Sequence, residues 1–337
     1  MNTLARSVQS RAFSTAQCLR HENPLGLPRR APPPQMPRKG GPIQKRPIAN
    51  VDKVLAVASG KGGVGKSTIA MNLAFALALR KNEKTGAPLR VGLLDLDIFG
   101  PSIPTLMGLR NAGEPALTDG GAIVPITNHG LPCMSMGFLI PNTNPEATEN
   151  TDTPIVWRGL MVQKAVQQLL FDVDWSGRGQ GLDVLVVDMP PGTGDVPLTL
   201  GQLVNVDGAV IVSTPQDVAL SDVRKGISML RKVSVPITGL VLNQAYYLCP
   251  GCESHKPRYL FSNGERFHSV AKALQVPVLG ELPLVEGVSQ SADAGFPYVL
   301  KNESSIEEAD GMGGSTWNTS MKKIAEQVAA NLWKPST

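Results

Sequence analysis

A glycine-rich segment with two lysines carries the clearest chemical signal in the chain. It lies between an apolar run and a helix-like stretch and reads Gly60-Lys61-Gly62-Gly63-Val64-Gly65-Lys66-Ser67-Thr68. Glycines let backbone N–H groups close around an anion, and the N-terminal end of the following helix adds a favourable dipole. Lys66 is placed to reach the β- and γ-phosphates, and the Ser67 hydroxyl is placed to bind Mg²⁺. The segment therefore predicts a loop that binds nucleotide phosphates and Mg²⁺.

Three aspartates follow apolar runs and are candidates for the same site. Asp95 and Asp97 end the run before Ile98, and Asp188 ends the run Val184–Val187. Ligands of open α/β folds bind at the carboxyl ends of the strands, and alternation along a strand would point Asp95 and Asp97 the same way. Asp188 fits a Walker B carboxylate, which holds Mg²⁺ through water. The alternative for Asp95 and Asp97 is a helix cap or turn.

A close cysteine pair, Cys249 and Cys252, predicts a second kind of site. Two thiolates cannot complete a tetrahedral metal site, and Cys18 and Cys133 are distant in sequence. A two-fold symmetric dimer is the simplest way to place four sulfurs around one iron–sulfur cluster. The alternatives are bound zinc, a redox dithiol, unreactive surface thiols, or a site with His255 as a third ligand.

The elements that must position these residues alternate along the chain. Short, nearly continuous apolar runs predict strands buried on both faces, at Lys53–Ser59, Arg90–Asp95, Val184–Asp188, Ala209–Ser213, Ile237–Asn243 and Val276–Glu281. Helical patterns lie between them, at Ser67–Arg80, Gly159–Phe171, Leu220–Val233 and Glu265–Leu274. This order predicts an α/β fold with a doubly wound, mostly parallel sheet.

The charge of the chain is divided unevenly. Its net charge is +4, but the first 50 of its 337 residues hold nine Lys or Arg and one Glu, so the remaining residues carry −4. Residues Met1–Cys18 are rich in Ser and Thr, contain two Arg and no acid, and fit a mitochondrial presequence, with a cleavage site after Phe13. Pro24–Pro47 fits an extended linker. The alternative is a basic tail without function, and we exclude residues 1–50 from the predicted fold.

Lys61, directly after the first glycine, makes the phosphate loop similar to the deviant Walker A motif. This motif is typical of the dimeric P-loop NTPases that include MinD, ParA, nitrogenase iron protein and the Mrp-type carriers. The resemblance implies that Lys61 reaches across a dimer interface to the partner's nucleotide and acts with Lys66 and Asp97 in catalysis. It makes Asp97 the residue that positions the attacking water, and it places Asp95 nearer the Mg²⁺ shell. It also implies an adenine contact for Asn243 and a nucleotide-lining loop at Ser213-Thr214-Pro215-Gln216.

Within that superfamily, residues 51–300 resemble the Mrp-type iron–sulfur carrier ATPases. The motifs behind the phosphate loop that carry this resemblance are Trp157-Arg158-Gly159-Leu160-Met161, Asp188–Asp195 (DMPPGTGD), Ser213–Ala219 (STPQDVA) and Cys249–Cys252. Together with a presequence they are similar to the branch that delivers [4Fe–4S] clusters to respiratory complex I. The chain departs from relatives at Asn263–Arg266, where a glycine-rich turn is usual, and at Glu303–Trp317, which resembles an insertion.

The resemblance implies a homodimer of the mitochondrial matrix that binds ATP and Mg²⁺ and carries a labile bridging [4Fe–4S] cluster. It would receive the cluster from upstream donors, pass it to apo-proteins such as complex I subunits, and hydrolyse ATP slowly, as a switch. Residues 301–337 are assigned to the insertion and a C-terminal helix, whose apolar stripe is expected to dock on the body, with peripheral inner-membrane attachment as the alternative.

The rival interpretation of the whole chain is a spatial regulator of the MinD or ParA kind, which binds membrane or DNA. It leaves the cysteine pair unexplained, and the net charge of −4 beyond residue 50 argues against a nucleic-acid partner.

Overall fold

The fold is built on one mixed sheet. The computed structural model describes residues 44–82, 85–139, 159–177, 179–251 and 256–334. Within these ranges the sheet has eight strands: β1 Val51–Ser59, β2 Val91–Asp95, β3 Ile126–Asn128, β4 Leu131–Ser135, β5 Leu182–Asp188, β6 Gly208–Ser213, β7 Ile237–Leu242 and β8 Val278–Glu281. Their order is β3-β4-β2-β5-β1-β6-β7-β8. Every pairing is parallel except that of β3 with β4.

Helices cover the sheet and account for its apolar strands. The described helices are α1 Lys66–Ala78, α2 Ile103–Leu106, α3 Gly159–Phe171, α4 Asp195–Leu203, α5 Asp217–Lys232, α6 Glu265–Leu274, α7 Glu286–Asp293 and α8 Glu303–Leu332. All residues of β2, β5 and β6 are buried, as expected for strands packed on both faces. The predicted doubly wound α/β fold is confirmed.

The register of the central strands brings the predicted site residues to one edge. Asp188 at the end of β5 lies beside Val57 of β1 on one side and beside Asp95 of β2 on the other. The loop after β1 leads directly into α1. The phosphate loop and two of the three aspartates therefore meet at the carboxyl ends of neighbouring strands.

The long C-terminal helix α8 packs on the body. Its apolar stripe, Met321, Ile324, Val328 and Leu332, is buried against the core. This confirms the predicted docking of that stripe, and the helix contacts α1 and β8. α8 is interrupted once, at Gly311, where φ is 58° and ψ is −146°. None of the helices in the described residues is both long and apolar enough to cross a membrane.

The folded body begins before residue 51. The Arg46 N–H donates to Leu203 O at 2.9 Å, and the Lys45 Nζ donates to Val233 O at 2.7 Å. Ile48 is buried, and the Arg46 guanidinium lies 3.5 Å from the centre of the Phe171 ring. The exclusion of residues 1–50 from the fold is therefore wrong for residues 44–50. The proline-rich composition around Ile48 gave no sign that this single apolar residue is buried in the core. The predicted presequence and cleavage site lie outside the described residues.

Candidate functional site

The predicted phosphate loop has a backbone that depends on glycine. β1 ends at Ser59, whose Oγ donates to Lys61 O at 2.9 Å, and α1 begins at Lys66. Gly63 and Gly65 have φ values of 78° and 82°, in the left-handed region that residues with a side chain rarely adopt. The loop thus turns sharply into the N-terminal end of α1, and the Lys61 side chain is exposed.

Neighbouring elements pack closely against this loop. A Cβ atom at Gly65 would lie 2.4 Å from Asn243 Nδ2, and one at Gly60 would lie 2.5 Å from the backbone of Asp222 in α5. Asn243 follows β7, and its Nδ2 donates to Val64 O at 2.9 Å. The loop is therefore braced from outside, and Asn243 connects it to the end of β7. An adenine contact of Asn243 stays a prediction.

A buried ion pair lies at the centre of the site. Lys66 Nζ donates to Asp188 Oδ1 at 2.5 Å, and their side chains are 6% and 0% exposed. Ser67 Oγ lies 3.1 Å from Lys66 Nζ. Burial raises the pKa of Asp188, while the charge of Lys66 and the hydrogen bonds from Lys66 and Ser67 oppose the shift. Among the described residues, Asp188 Oδ2 is buried without a hydrogen-bond partner.

The same residues fit a magnesium ion. Mg²⁺ prefers hydroxyl, carboxylate and water oxygens, and it retains several of its waters in protein sites. Ser67 offers a hydroxyl, and Asp188 offers a carboxylate oxygen that no described protein group satisfies. The donor set therefore suits a hydrated divalent cation beside bound phosphates.

Asp95 organises the loop that follows β2. Its Oδ1 accepts from the Asp97 N–H at 2.9 Å, and its Oδ2 accepts from the Ile103 N–H at 3.2 Å and from Ser135 Oγ at 3.0 Å. Burial, with a smaller contribution from the nearby charge of Asp188, raises the pKa of Asp95 to about 7. These contacts match the turn role that was the alternative for this residue.

Asp97 lies beyond the strand. β2 ends at Asp95, so the alternation expected to point both side chains the same way does not extend to Asp97. Asp97 is half-buried, and this burial raises its pKa, while the charge of Lys66 lowers it. Ser135, at the end of β4, was not predicted as part of the site. No local motif marks it, since only the pairing of β2 with β4 brings it to Asp95.

The turn after β5 lies against the phosphate loop. The Met189 N–H donates to Val57 O at 3.0 Å, and the Gly192 N–H donates to Ser59 O at 2.9 Å. Gly192 has a φ of 87°, so the turn again requires glycine. A change in the position of this turn would therefore act on the last residues of β1.

A cavity lies beside the loop that contains Pro215. It has a volume of about 430 Å³ and is lined by Pro215, Gln216, Asp217, Phe261, Ser262 and Arg266. Ser262 Oγ donates to Pro215 O at 2.8 Å, and Arg266 pairs with Asp217. No motif in the sequence marks Phe261, Ser262 or Arg266, although Arg266 falls in the segment Asn263–Arg266 that departs from relatives. Contact of Pro215 with nucleotide stays a prediction.

The cysteine loop follows β7. Cys249 is half-buried, between the buried Leu248 and the exposed Pro250. Cys252, His255 and the Trp157-Arg158 pair lie outside the described residues. Within the part of the chain that the structure describes, no three His, Cys, Asp or Glu side chains are grouped as they would be around a metal ion.

Comparison with known proteins decides the family. A family model described as ParA: NUBPL iron-transfer P-loop NTPase matches residues 50–325. The chain belongs to this family. The iron-sulfur cluster transfer protein NUBPL of Mus musculus is 49% identical over 273 residues, which cover 81% of this chain and 78% of the mouse protein. The predicted resemblance to iron–sulfur carrier ATPases is thereby confirmed.

Two further similar proteins come from a plant and an archaeon. The Arabidopsis thaliana iron-sulfur protein required for NADH dehydrogenase, mitochondrial, is 43% identical over 268 residues, covering 79% of this chain and 78% of that protein. A nucleotide-binding protein of Archaeoglobus fulgidus, solved in complex with ADP, is 35% identical with a TM-score of 0.57, covering 73% of this chain and 87% of the other. The cell division ATPase MinD of Pyrococcus furiosus is 19% identical with a TM-score of 0.52, covering 83% of this chain and 99% of the other, so it shares the fold, which by itself does not specify function.

Proposed function

We propose that this chain is an ATP-binding iron–sulfur cluster carrier that serves the assembly of mitochondrial NADH dehydrogenase. Membership of the NUBPL family and the names of the mouse and Arabidopsis relatives support the carrier function. The observation that carries the proposal for this chain is the course of β7. Asn243, at its end, is bonded to the phosphate loop, and Cys249 follows six residues later. Nucleotide and cysteine sites are thus joined by one short segment.

Nucleotide binding would exchange one partner of Lys66 for another. In the structure Lys66 is held by Asp188, deep in the site. Phosphate oxygens at the N-terminal end of α1 offer the lysine a competing anion, assisted by the loop N–H groups. Ser67 and Asp188 are the residues that would hold Mg²⁺, whose charge would neutralise the phosphate oxygens. The buried carboxylate would then be compensated by an ion instead of by the lysine.

The roles of the remaining residues follow from the same proposal. The exposed Lys61 would contact the nucleotide of a partner subunit, and Asp97 would position the attacking water. Slow hydrolysis would separate two nucleotide states, and the turn after β5, bonded to Ser59, would respond to the γ-phosphate.

The iron–sulfur cluster is the cargo of this carrier. Cys249 and Cys252 of two subunits would provide four thiolates to a bridging [4Fe–4S] cluster, taken from upstream donors in the mitochondrial matrix and passed to complex I apo-subunits.

Anaerobic reconstitution tests the cluster site. The full chain is incubated with iron and sulfide, desalted, and assayed for iron and sulfide per dimer and for the visible absorption of the cluster. We expect the wild type and Cys133→Ala to load equally and Cys249→Ala to lose the cluster. Cys133 is a suitable control because it is buried in β4, away from the cysteine loop. A wild type that binds no iron, or equal loading of Cys249→Ala, would contradict the proposal.

A further inference from the structure

The break in α8 lies directly against the cysteine loop. A Cβ atom at Gly311 would lie 3.6 Å from Pro250 Cβ and 3.7 Å from Pro250 Cα. Two residues further along the chain, a Cβ atom at Gly313 would lie 3.5 Å from Leu248 O and 3.7 Å from Leu248 Cβ. The residues on both sides of Cys249 therefore rest on residues 311–313. A Cβ atom at either position would make only ordinary van der Waals contact, so the α8 backbone lies about one methyl group away from the loop.

The chain just before the break is held firmly. Asp310 is buried, and its carboxylate accepts from the Tyr298 hydroxyl at 2.8 Å and from the Gly287 N–H of α7 at 3.0 Å. The Tyr298 ring in turn packs edge-on against Trp317, with 5.2 Å between ring centres. Gly314 leaves room for the tyrosine, since a Cβ atom there would lie 2.4 Å from its hydroxyl oxygen. The break is thus anchored on both sides by buried groups.

The stem of the cysteine loop is fixed separately. Tyr247 and Arg258 exchange two backbone hydrogen bonds, of 2.8 and 2.9 Å. The Ala245 N–H donates to Leu282 O at 2.9 Å, and the Leu284 N–H donates to Tyr246 O at 2.7 Å. These bonds hold the base of the loop on the sheet. They do not involve Leu248 or Pro250, which lie against residues 311–313 of α8.

We propose that the break at residues 311–313 is a support that positions Cys249 for cluster binding. The inference rests on the proposed function, and it gives residues 303–317, which resembled an insertion, a part in the cysteine site. A cluster bridged by two loops needs all thiolates at fixed positions, and each mobile loop loses conformational entropy when it is ordered. A loop that already packs against a helix loses less conformational entropy on cluster binding. Gly311, which allows α8 to follow this path, therefore acts as a positioning residue.

The substitution Gly311→Ala tests this support through the backbone. At φ 58° and ψ −146° a residue with a Cβ atom is strained, although the space beside Pro250 would accept the methyl group. The variant is expected to move toward regular helix and to withdraw from the loop. Gly226→Ala is the matched control, because Gly226 lies within α5, has no neighbour near its Cβ position and has no positive φ.

The first measurement is the alkylation rate of Cys249 in the full chain without cluster, followed by mass spectrometry of its peptide. We expect several-fold faster alkylation in Gly311→Ala than in the wild type and in Gly226→Ala, because the half-buried thiol becomes more accessible once residues 311–313 withdraw from the loop. The second measurement is the loss of iron to a chelator after reconstitution, which should also be several-fold faster. ATP affinity should stay unchanged, since the phosphate loop is braced by other elements.

Equal alkylation and equal iron loss in Gly311→Ala and the wild type would overturn the inference. A wild type that binds no cluster would overturn the proposed function, while the alkylation rates would still decide whether α8 positions Cys249. If Gly311→Ala does not fold, Tyr298→Phe takes its place, because it removes one of the two hydrogen bonds that anchor Asp310. Tyr298→Phe should also accelerate the alkylation of Cys249 and the loss of iron. Unchanged rates in that variant would again refute the proposal that α8 positions Cys249.

Discussion

The ion pair between Lys66 and Asp188 should dominate the stability of the nucleotide-free site. The substitution Lys66→Met removes the cation and leaves the carboxylate, which is 0% exposed. Removing one partner of a buried ion pair costs about 3–5 kcal/mol of unfolding free energy, and for a domain of this size that lowers Tm by about 6–20 °C. The loss should be greater at pH 8 than at pH 6. Burial raises the pKa of Asp188, and without the lysine the acid is protonated more readily as the pH falls.

Thermal unfolding without nucleotide measures this effect. The double variant Lys66→Met/Asp188→Asn removes both charges and should recover most of the lost stability. Arg80→Met is the control, because it breaks the ion pair with Glu326 at the surface, where such a pair contributes about 1 kcal/mol or less. A Lys66→Met variant that melts at the wild-type temperature would contradict this expectation, and so would a double variant that is no more stable than the single one.

Three further outcomes are expected. The pKa of Asp95, about 7 against an ordinary 3.8, means that the folded state binds an extra proton between these values, so the free energy of unfolding should fall as pH rises through this window. Urea unfolding from pH 5 to 7.5 should show this slope reduced in Asp95→Asn, and equal slopes would contradict it. Gly65→Ala should weaken ATP binding at least tenfold, since its Cβ atom would collide with Asn243, whereas Gly86→Ala, with a positive φ of 69° in open space, should bind normally. Lys61→Ala should bind ATP as a monomer but lose the ATP-dependent dimer in sedimentation velocity, and an unchanged dimer would refute its proposed role across the interface.

Apolar patterning was sufficient to predict the central strands and helices. The runs that became β1, β2, β5, β6 and β7 are nearly continuous because both sheet faces are covered, and α3 and α6 have the bounds that were predicted. β4 was missed because Pro132 interrupts its short apolar run, and α7 was missed because Ser and Gly replace most of its apolar positions.

The phosphate loop could be predicted because its chemistry is local. Its glycines, its two lysines and Ser67 lie within nine consecutive residues, and the structure places this segment at the start of α1. Other contacts join residues that are distant in sequence, such as those of Asp95 with Ser135 and of Gly311 with Pro250. No local sequence pattern predicts them. Such contacts depend on strand order and helix packing, which a single sequence does not specify.

The anchored segment 44–50 also determines where the protein can be labelled. It joins β1 at its N-terminal end, and the nine residues of that strand span about 30 Å before the phosphate loop. Arg46 is bonded to Leu203 and Asn205, where the chain passes from the end of α4 to the start of β6 at the same far edge. A fluorophore or affinity handle attached at the exposed Gln44 therefore lies on the side of the body opposite the nucleotide and cysteine sites, where it should report on assembly without obstructing it.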